Sequence, residues 1–219
     1  MNTVLFHGPS GSGKDTQVEF LVKDYNFENI GTGEMFRQMY SRGDIDGIKA
    51  HEYWGKGKWV PDDLTYRMLK KWIRKFSDDK NWAFVSVVRS VGQIPLFEEV
   101  LQGSQRKLDS FIHFKLSEES AIERLSLRWV CTNCGMTYHE KYKKEKVHGY
   151  CDKCGTKLTQ REDDHPDRIK LRMKEYDRTI KPILDYYQKQ GILIEIDASP
   201  SIEEIHKKLV EQLKLKGLL

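Results

Sequence analysis

A glycine-rich stretch, "GPSGSGKDTQ" at residues 8–17, constrains the fold of this chain more than any other feature. Gly8, Gly11 and Gly13 precede Lys14 in a GxxxxGK pattern. The apolar run "TVLF" (3–6) comes just before it, and "KDTQVEFLVKDY" follows, with Val18, Leu21 and Val22 at helical spacing. A strand that enters a glycine turn and leaves as a helix aims successive backbone N–H groups and a helix N-terminus at one spot. Such a nest holds phosphates, with Lys14 reaching the terminal ones. The bland alternative is a strand-to-helix turn with no ligand. Asp15 stands in the usual Ser/Thr slot of the motif, and Thr16 follows it.

Further strands are predicted at "WAFVSVV" (82–88), "SFIHFKL" (110–116) and "ILIEI" (192–196), and helices at 62–76, 93–102 and 118–129. Strands alternating with helices imply a parallel sheet covered on both faces, a three-layer α/β/α fold. Two segments interrupt the alternation. Residues 31–60 read as a small helical insert, and 130–166 hold the cysteines with little helical periodicity. The core is then expected to comprise 1–30, 61–129 and 167–219 as one domain. After the second insert, Ile169, Met173, Tyr176, Ile180, Ile183, Leu184 and Tyr187 form one stripe of a long amphipathic helix, with a kink expected near Pro182. The segment "SIEEIHKKLVEQLKLKG" opens on a Ser cap with Glu three residues later and closes the domain.

With 219 residues, 38% of them hydrophobic and 32% charged, the chain suits one soluble globular domain with insertions. No apolar run approaches the ~20 residues that cross a bilayer, so no membrane partner is expected. "MNTVLFHG" reads as a first strand rather than a signal peptide, and a cytoplasmic protein is expected. The net charge of +4, without an arginine-rich tail, fits an anionic substrate and only weakly suggests nucleic acid, which is not expected as a partner.

All four cysteines belong to "CTNC" and "CDKC": Cys131, Cys134, Cys151 and Cys154. Two such knuckles bring four thiolates to tetrahedral geometry around zinc, which would be structural because no coordination position stays open. Iron and disulfides are the competing readings. Arg124, Arg128, Arg161, Arg168 and Arg172 flank the knuckles on both sides and together suit a phosphate-lined cleft, although any one of them also suits a solvated helix face.

These blocks, with "IGTGEMFR" (30–37), "GKWVPDDL" (57–64), "RSVGQ" (89–93), "ERLSLR" (123–128) and "QREDDHPDRIKLRMKEY" (160–176), occur in the order found in adenylate kinases. The chain resembles the long form of that family over nearly its whole length. The resemblance implies a P-loop NTPase fold with a five-stranded parallel sheet, a helical monophosphate-binding insert (31–60) and a zinc-binding lid (130–166). It implies reversible, Mg²⁺-dependent phosphoryl transfer from ATP to AMP giving ADP, in a monomer. For ATP it implies Gly11, Ser12, Gly13, Lys14, Asp15 and Thr16, together with Arg124, Arg128, Thr137, Tyr138 and Pro200. For the monophosphate it implies Thr32, Gly33, Arg37, Lys58, Trp59, Val60, Ser86, Arg89 and Gln93, with Arg37 and Arg89 on the phosphate and Gln93 on the base edge. Arg128, Arg161 and Arg172 would surround the moving phosphoryl, Arg161 and Arg172 also reaching the acceptor. Asp163 and Asp164 would set the lid arginines, unless they are only surface acids at a helix start.

The chain departs from the family pattern in two places. "VSVVR" (85–89) stands where the family writes DGFPR, so Val85 replaces the acid that holds the Mg²⁺ water shell and Ser86 replaces a glycine. Asp15 stands where the family has Gly. The two departures suggest an exchange in which Asp15 supplies the acid lost at Val85; the simpler reading makes Asp15 a first-turn helix residue. Thr32 favours AMP, while UMP, CMP or a deoxy acceptor stays open, as does a nucleotide-binding homologue without turnover whose Lys-rich lid binds nucleic acid.

Overall fold

The computed structural model describes residues 1–56, 58–161 and 164–219. Five parallel strands form the main sheet: β1 (Thr3–His7), β2 (Phe27–Gly31), β3 (Asn81–Val85), β4 (Ser110–Lys115) and β8 (Leu193–Asp197), in the spatial order β2-β3-β1-β4-β8. The strands alternate strictly. Val4, Phe6, Ala83, Val85, Ile112 and Phe114 face one side, where they pack against Val18 and Leu21 of α1 (Lys14–Asp24) and Ile205, Leu209 and Leu213 of α8 (Ile202–Leu215). Leu5, Phe84 and Phe111 face the other side. There they meet α4 (Asp62–Trp72), α5 (Ile94–Gln102) and the second half of α7 (Pro166–Lys189). Burial on both faces explains why these strands read as nearly continuous apolar runs.

β2 escapes a pattern search because "FENIG" sets two polar residues between its apolar ones. As the edge strand it is only half-covered, so polar positions are tolerated. Val22 also departs from its helical stripe: it is exposed, whereas Val18 and Leu21 are fully buried. α7 runs through Pro182 as one continuous helix, with Ile169, Met173, Ile180, Ile183 and Tyr187 buried and Tyr176 and Leu184 partly so.

The stretch 31–60 contains α2 (Thr32–Ser41) and α3 (Ile45–Trp54), joined to the core through Asp46, whose buried carboxylate accepts from Arg67 and Lys71 of α4. α6 (Glu118–Ser126) ends earlier than its sequence periodicity suggests. Its chain turns at Leu127 into β5 (Arg128–Cys131), because Trp129 and Val130 pair with β6 (Thr137–His139) and β7 (Leu158–Thr159). Arg128 therefore projects from a strand of the small antiparallel sheet rather than from a helix.

Candidate active site

The glycine-rich loop joins β1 to α1. A Cβ on Gly8 would lie 2.8 Å from Ser12 Oγ and 3.0 Å from the Phe114 backbone, so only glycine lets the loop pack onto β4. Gly11 and Gly13 take left-handed φ values of 85° and 77°. α1 has no side-chain cap, which leaves its first N–H groups for an anion to satisfy. The Ser12 hydroxyl is buried without a partner among the described residues, and Lys14 Nζ rests on the Pro9 carbonyl at 3.4 Å. Burial lowers the Lys14 pKa; Asp15 opposes the shift, and Arg89, Arg128 and Arg172 add to it. Thus one lysine and three arginines from distant parts of the chain share one field, as a site for polyphosphate requires. Asp15 itself is 71% exposed at the first turn of α1, 3.8 Å from Lys14 Nζ.

Asp164 organises the arginines. Its carboxylate, 6% exposed, accepts from Arg128 Nε at 2.7 Å and Nη2 at 2.5 Å, and from Arg172 Nη1 at 3.2 Å. Arg172 also donates to Ser10 Oγ in the phosphate loop. Arg124 bridges the loop to the start of α8, donating to Gly11 O at 3.3 Å, Ser199 O at 3.1 Å and Pro200 O at 3.4 Å. Arg161 is exposed at the end of the antiparallel-sheet segment, while Asp163 lies outside the described residues.

Opposite the loop, Thr32 is buried at the start of α2, and Gly33 lies against Arg37 of the same helix. The Arg37 guanidinium reaches across to Gly135 of the first cysteine knuckle: a Cβ there would sit 2.8 Å from Nη2, so the two inserts touch over the cleft. Arg89 Nε donates to Ser86 O at 3.1 Å, and the guanidinium lies 4.6 Å from the centre of the 74%-exposed Trp59 ring. Ser86 holds φ 51°, the left-handed backbone that glycine adopts without cost. Lys58 is exposed and Val60 buried on either side of Trp59. Gln93 is tied at both ends: Oε1 accepts from Arg89 N at 2.7 Å, and Nε2 donates to Asp62 Oδ1 at 2.6 Å.

The four cysteine Sγ atoms lie within 4.8 Å of one another, with Cys131–Cys154 at 3.4 Å and Cys134–Cys151 at 3.5 Å. A tetrahedral ion with ~2.3 Å metal–sulfur bonds needs edges of about 3.8 Å, so the donor set fits zinc. Burial pushes the Cys134 thiol up to about 12, while the Thr156 hydroxyl lowers Cys154 to about 6. A central cation is what lets such closely packed thiols ionise together. Tyr138 packs its side chain into the thiol cluster. Its ring is 1% exposed beside Cys131, Cys151 and Leu158, and its hydroxyl contacts Cys151 Sγ at 3.5 Å and accepts from Asp152 N at 2.7 Å. Only its backbone is left to meet a nucleotide, whereas Thr137 beside it is exposed. Alternation along β6 turns the tyrosine inward.

The sheet, the capless phosphate loop and the converging arginines define a P-loop phosphotransferase. The adenylate kinase family model matches residues 6–192. The chain is 37% identical over 211 residues to the adenylate kinase of Carboxydothermus hydrogenoformans, covering 96% of this chain and 99% of that one. It is 34% identical over 206 residues to that of Archaeoglobus fulgidus, covering 94% and 95%. The chain belongs to the adenylate kinase family, and its reaction is phosphoryl transfer between ATP and AMP. Adenylate kinases use Mg²⁺ with ATP. Among the described residues no helix is long and apolar enough to cross a membrane.

Proposed function

We propose that the residues around this cleft divide the reaction as follows. Gly11–Thr16 cradle the ATP phosphates and Lys14 follows the transferring group, while Arg37 and Arg89 clamp the acceptor phosphate. Arg128, Arg161 and Arg172 spread the negative charge of the moving phosphoryl, which needs positioning and electrostatic stabilisation rather than a covalent nucleophile. The observation that carries this reading is Asp164 holding Arg128 and Arg172 together, with Arg172 on Ser10 of the phosphate loop. Held this way, the two guanidiniums need little reorganisation when charge develops.

The segment 130–166 acts as a lid that excludes water from the phosphoryl. Cys131, Cys134, Cys151 and Cys154 hold a structural zinc that shapes it. Near Mg²⁺, Asp15 takes the part of the acid missing at Val85. In support, Val85 offers no oxygen to a hydrated ion and packs with Val18 of α1, and the Asp15 carboxylate is exposed at the first turn of that same helix. The protein works as a cytoplasmic monomer on ATP, AMP and ADP.

Purified protein with ATP, Mg²⁺ and a panel of AMP, UMP, CMP and dAMP tests the assignment, read as ADP formed. AMP is expected to be the fastest acceptor. A faster rate with another monophosphate overturns the acceptor assignment, and nucleotide binding without turnover overturns the catalytic one. In the same assay Asp15→Gly is expected to lose Mg²⁺-dependent turnover, with Val85→Asp restoring part of it; full activity in Asp15→Gly rules the exchange out.

A further inference from the structure

On the sheet face covered by α7, one row of polar side chains crosses three strands. His7 of β1, His113 of β4 and Glu195 of β8 are register partners on three adjacent strands. Strand alternation puts His7 on the side of Leu5 and His113 on the side of Phe111, toward α7. Tyr176 of α7 sets its hydroxyl between the two imidazoles, 3.1 Å from His7 Nδ1 and 3.0 Å from His113 Nε2. His113 Nδ1 reaches Glu195 Oε1 at 3.3 Å, and Lys115 Nζ lies 3.7 Å from the other carboxylate oxygen.

The protons of this row follow from its acceptor end. A carboxylate paired with Lys115 only accepts, so His113 carries its proton on Nδ1 and its Nε2 accepts from the Tyr176 hydroxyl. The phenol oxygen then accepts from His7 Nδ1–H, which leaves His7 Nε2 as a bare lone pair. Among the described residues that nitrogen is buried without a hydrogen-bond partner, although the Val88 backbone draws the His7 pKa upward. Burial, then Lys14, Arg89 and His113, keep His7 neutral, which the direction of the row requires.

Tyr176 lies one turn after Arg172 on the same helix face. Besides the bonds that Arg172 itself makes, the first half of α7 packs Ile169 and Met173 on Ala121 and Leu125 of α6, apolar contacts that permit sliding in a way a fixed hydrogen bond does not. We propose that Tyr176 is a positioning residue: its hydroxyl, locked between His7 and His113, fixes α7 on the sheet and so sets Arg172 over the phosphate loop. The inference rests on the reading of Arg172 as a residue of the moving phosphoryl.

The test is a double-mutant cycle of Tyr176→Phe and Arg172→Lys, with kcat and KM measured for both nucleotides and thermal midpoints for all variants. Tyr176→Phe keeps the ring and is expected to lower kcat about tenfold, a fraction of the ~10²-fold cost of an ångström-scale misplacement, with KM unchanged within about twofold. Arg172→Lys is expected to lose about 10²-fold or more in kcat. The double variant should lose no more than Arg172→Lys alone, because the hydroxyl acts only through the guanidinium. Multiplying penalties, or full kcat in Tyr176→Phe, overturns the positioning role. Full kcat in Arg172→Lys instead overturns the role given to Arg172. If Tyr176→Phe does not fold, His113→Leu removes the hydroxyl's acceptor from the opposite side and must lower kcat in the same way; unchanged kcat there also overturns the proposal.

Discussion

The main sheet and the cysteine segment are held together by different physics. The sheet buries large side chains on both faces, among them Phe6, Phe84, Phe111 and Phe114, each fully covered. Among the described residues the cysteine segment has one small buried cluster, Cys131, Tyr138, Cys151 and Leu158, and two of its members are thiols. Ordering a chain costs about 1–2 kcal/mol for every backbone residue fixed, which Tyr138 and Leu158, with Trp129 and Met136 partly buried beside them, cannot offset. The core can therefore fold on hydrophobic burial, whereas the proposed lid would depend on a metal held by its four thiolates and on the ion pairs of Asp164. The motion proposed for the lid needs contacts that can be made and broken without disturbing the sheet, and these are of that kind.

The largest expected effect breaks the lid alone. Cys151→Ser, or removal of zinc with a chelator, should abolish phosphoryl transfer while leaving the far-UV circular dichroism of the sheet and its helices largely intact. Next comes the carboxylate that joins the two regions. Asp164→Asn removes the partner of two guanidiniums, and breaking a buried pair costs about 3–5 kcal/mol. A lowered thermal midpoint and a kcat reduced by at least tenfold are expected together; an unchanged kcat would separate Asp164 from the arginines' work.

A third prediction concerns the core. His7 is held at about 3 in the folded protein against 6.5 for the free side chain. The unfolded chain therefore binds the proton first. Stability is fully present above pH 6.5 and falls as pH drops toward 3, with a slope approaching ~1.4 kcal/mol per unit from this group. Denaturant titrations at pH 7.0, 6.0 and 5.5 should show the fall, and His7→Gln should flatten it. The smallest effect is at the acceptor wall: Ser86→Gly relieves a left-handed φ and should stabilise the protein by up to about 1 kcal/mol, read as a small rise in thermal midpoint.

These regions also differ in how far the sequence reveals them. The strands of the core were legible because burial on both faces writes itself as apolar runs, and the metal site because CxxC spacing is local. β2 was not, since an edge strand tolerates Glu28 and Asn29. Arg128 read as helical because α6 periodicity continues to Leu125, and only pairing with β6 reveals the strand. The resemblance implied Tyr138 as a nucleotide contact without saying which way its side chain points; its inward direction depends on which face of a three-residue strand meets the thiols. The row His7, His113 and Glu195 is invisible along the chain, because it exists only through the register of three strands far apart in sequence.

Amide hydrogen exchange followed with and without zinc tests the central contrast most directly. After metal removal, amides of β5, β6 and β7 should lose protection while those of β1, β3 and β4 keep theirs. Loss of protection in both sets together, or in neither, would contradict an account in which the core stands on its own burial and the lid stands on its metal.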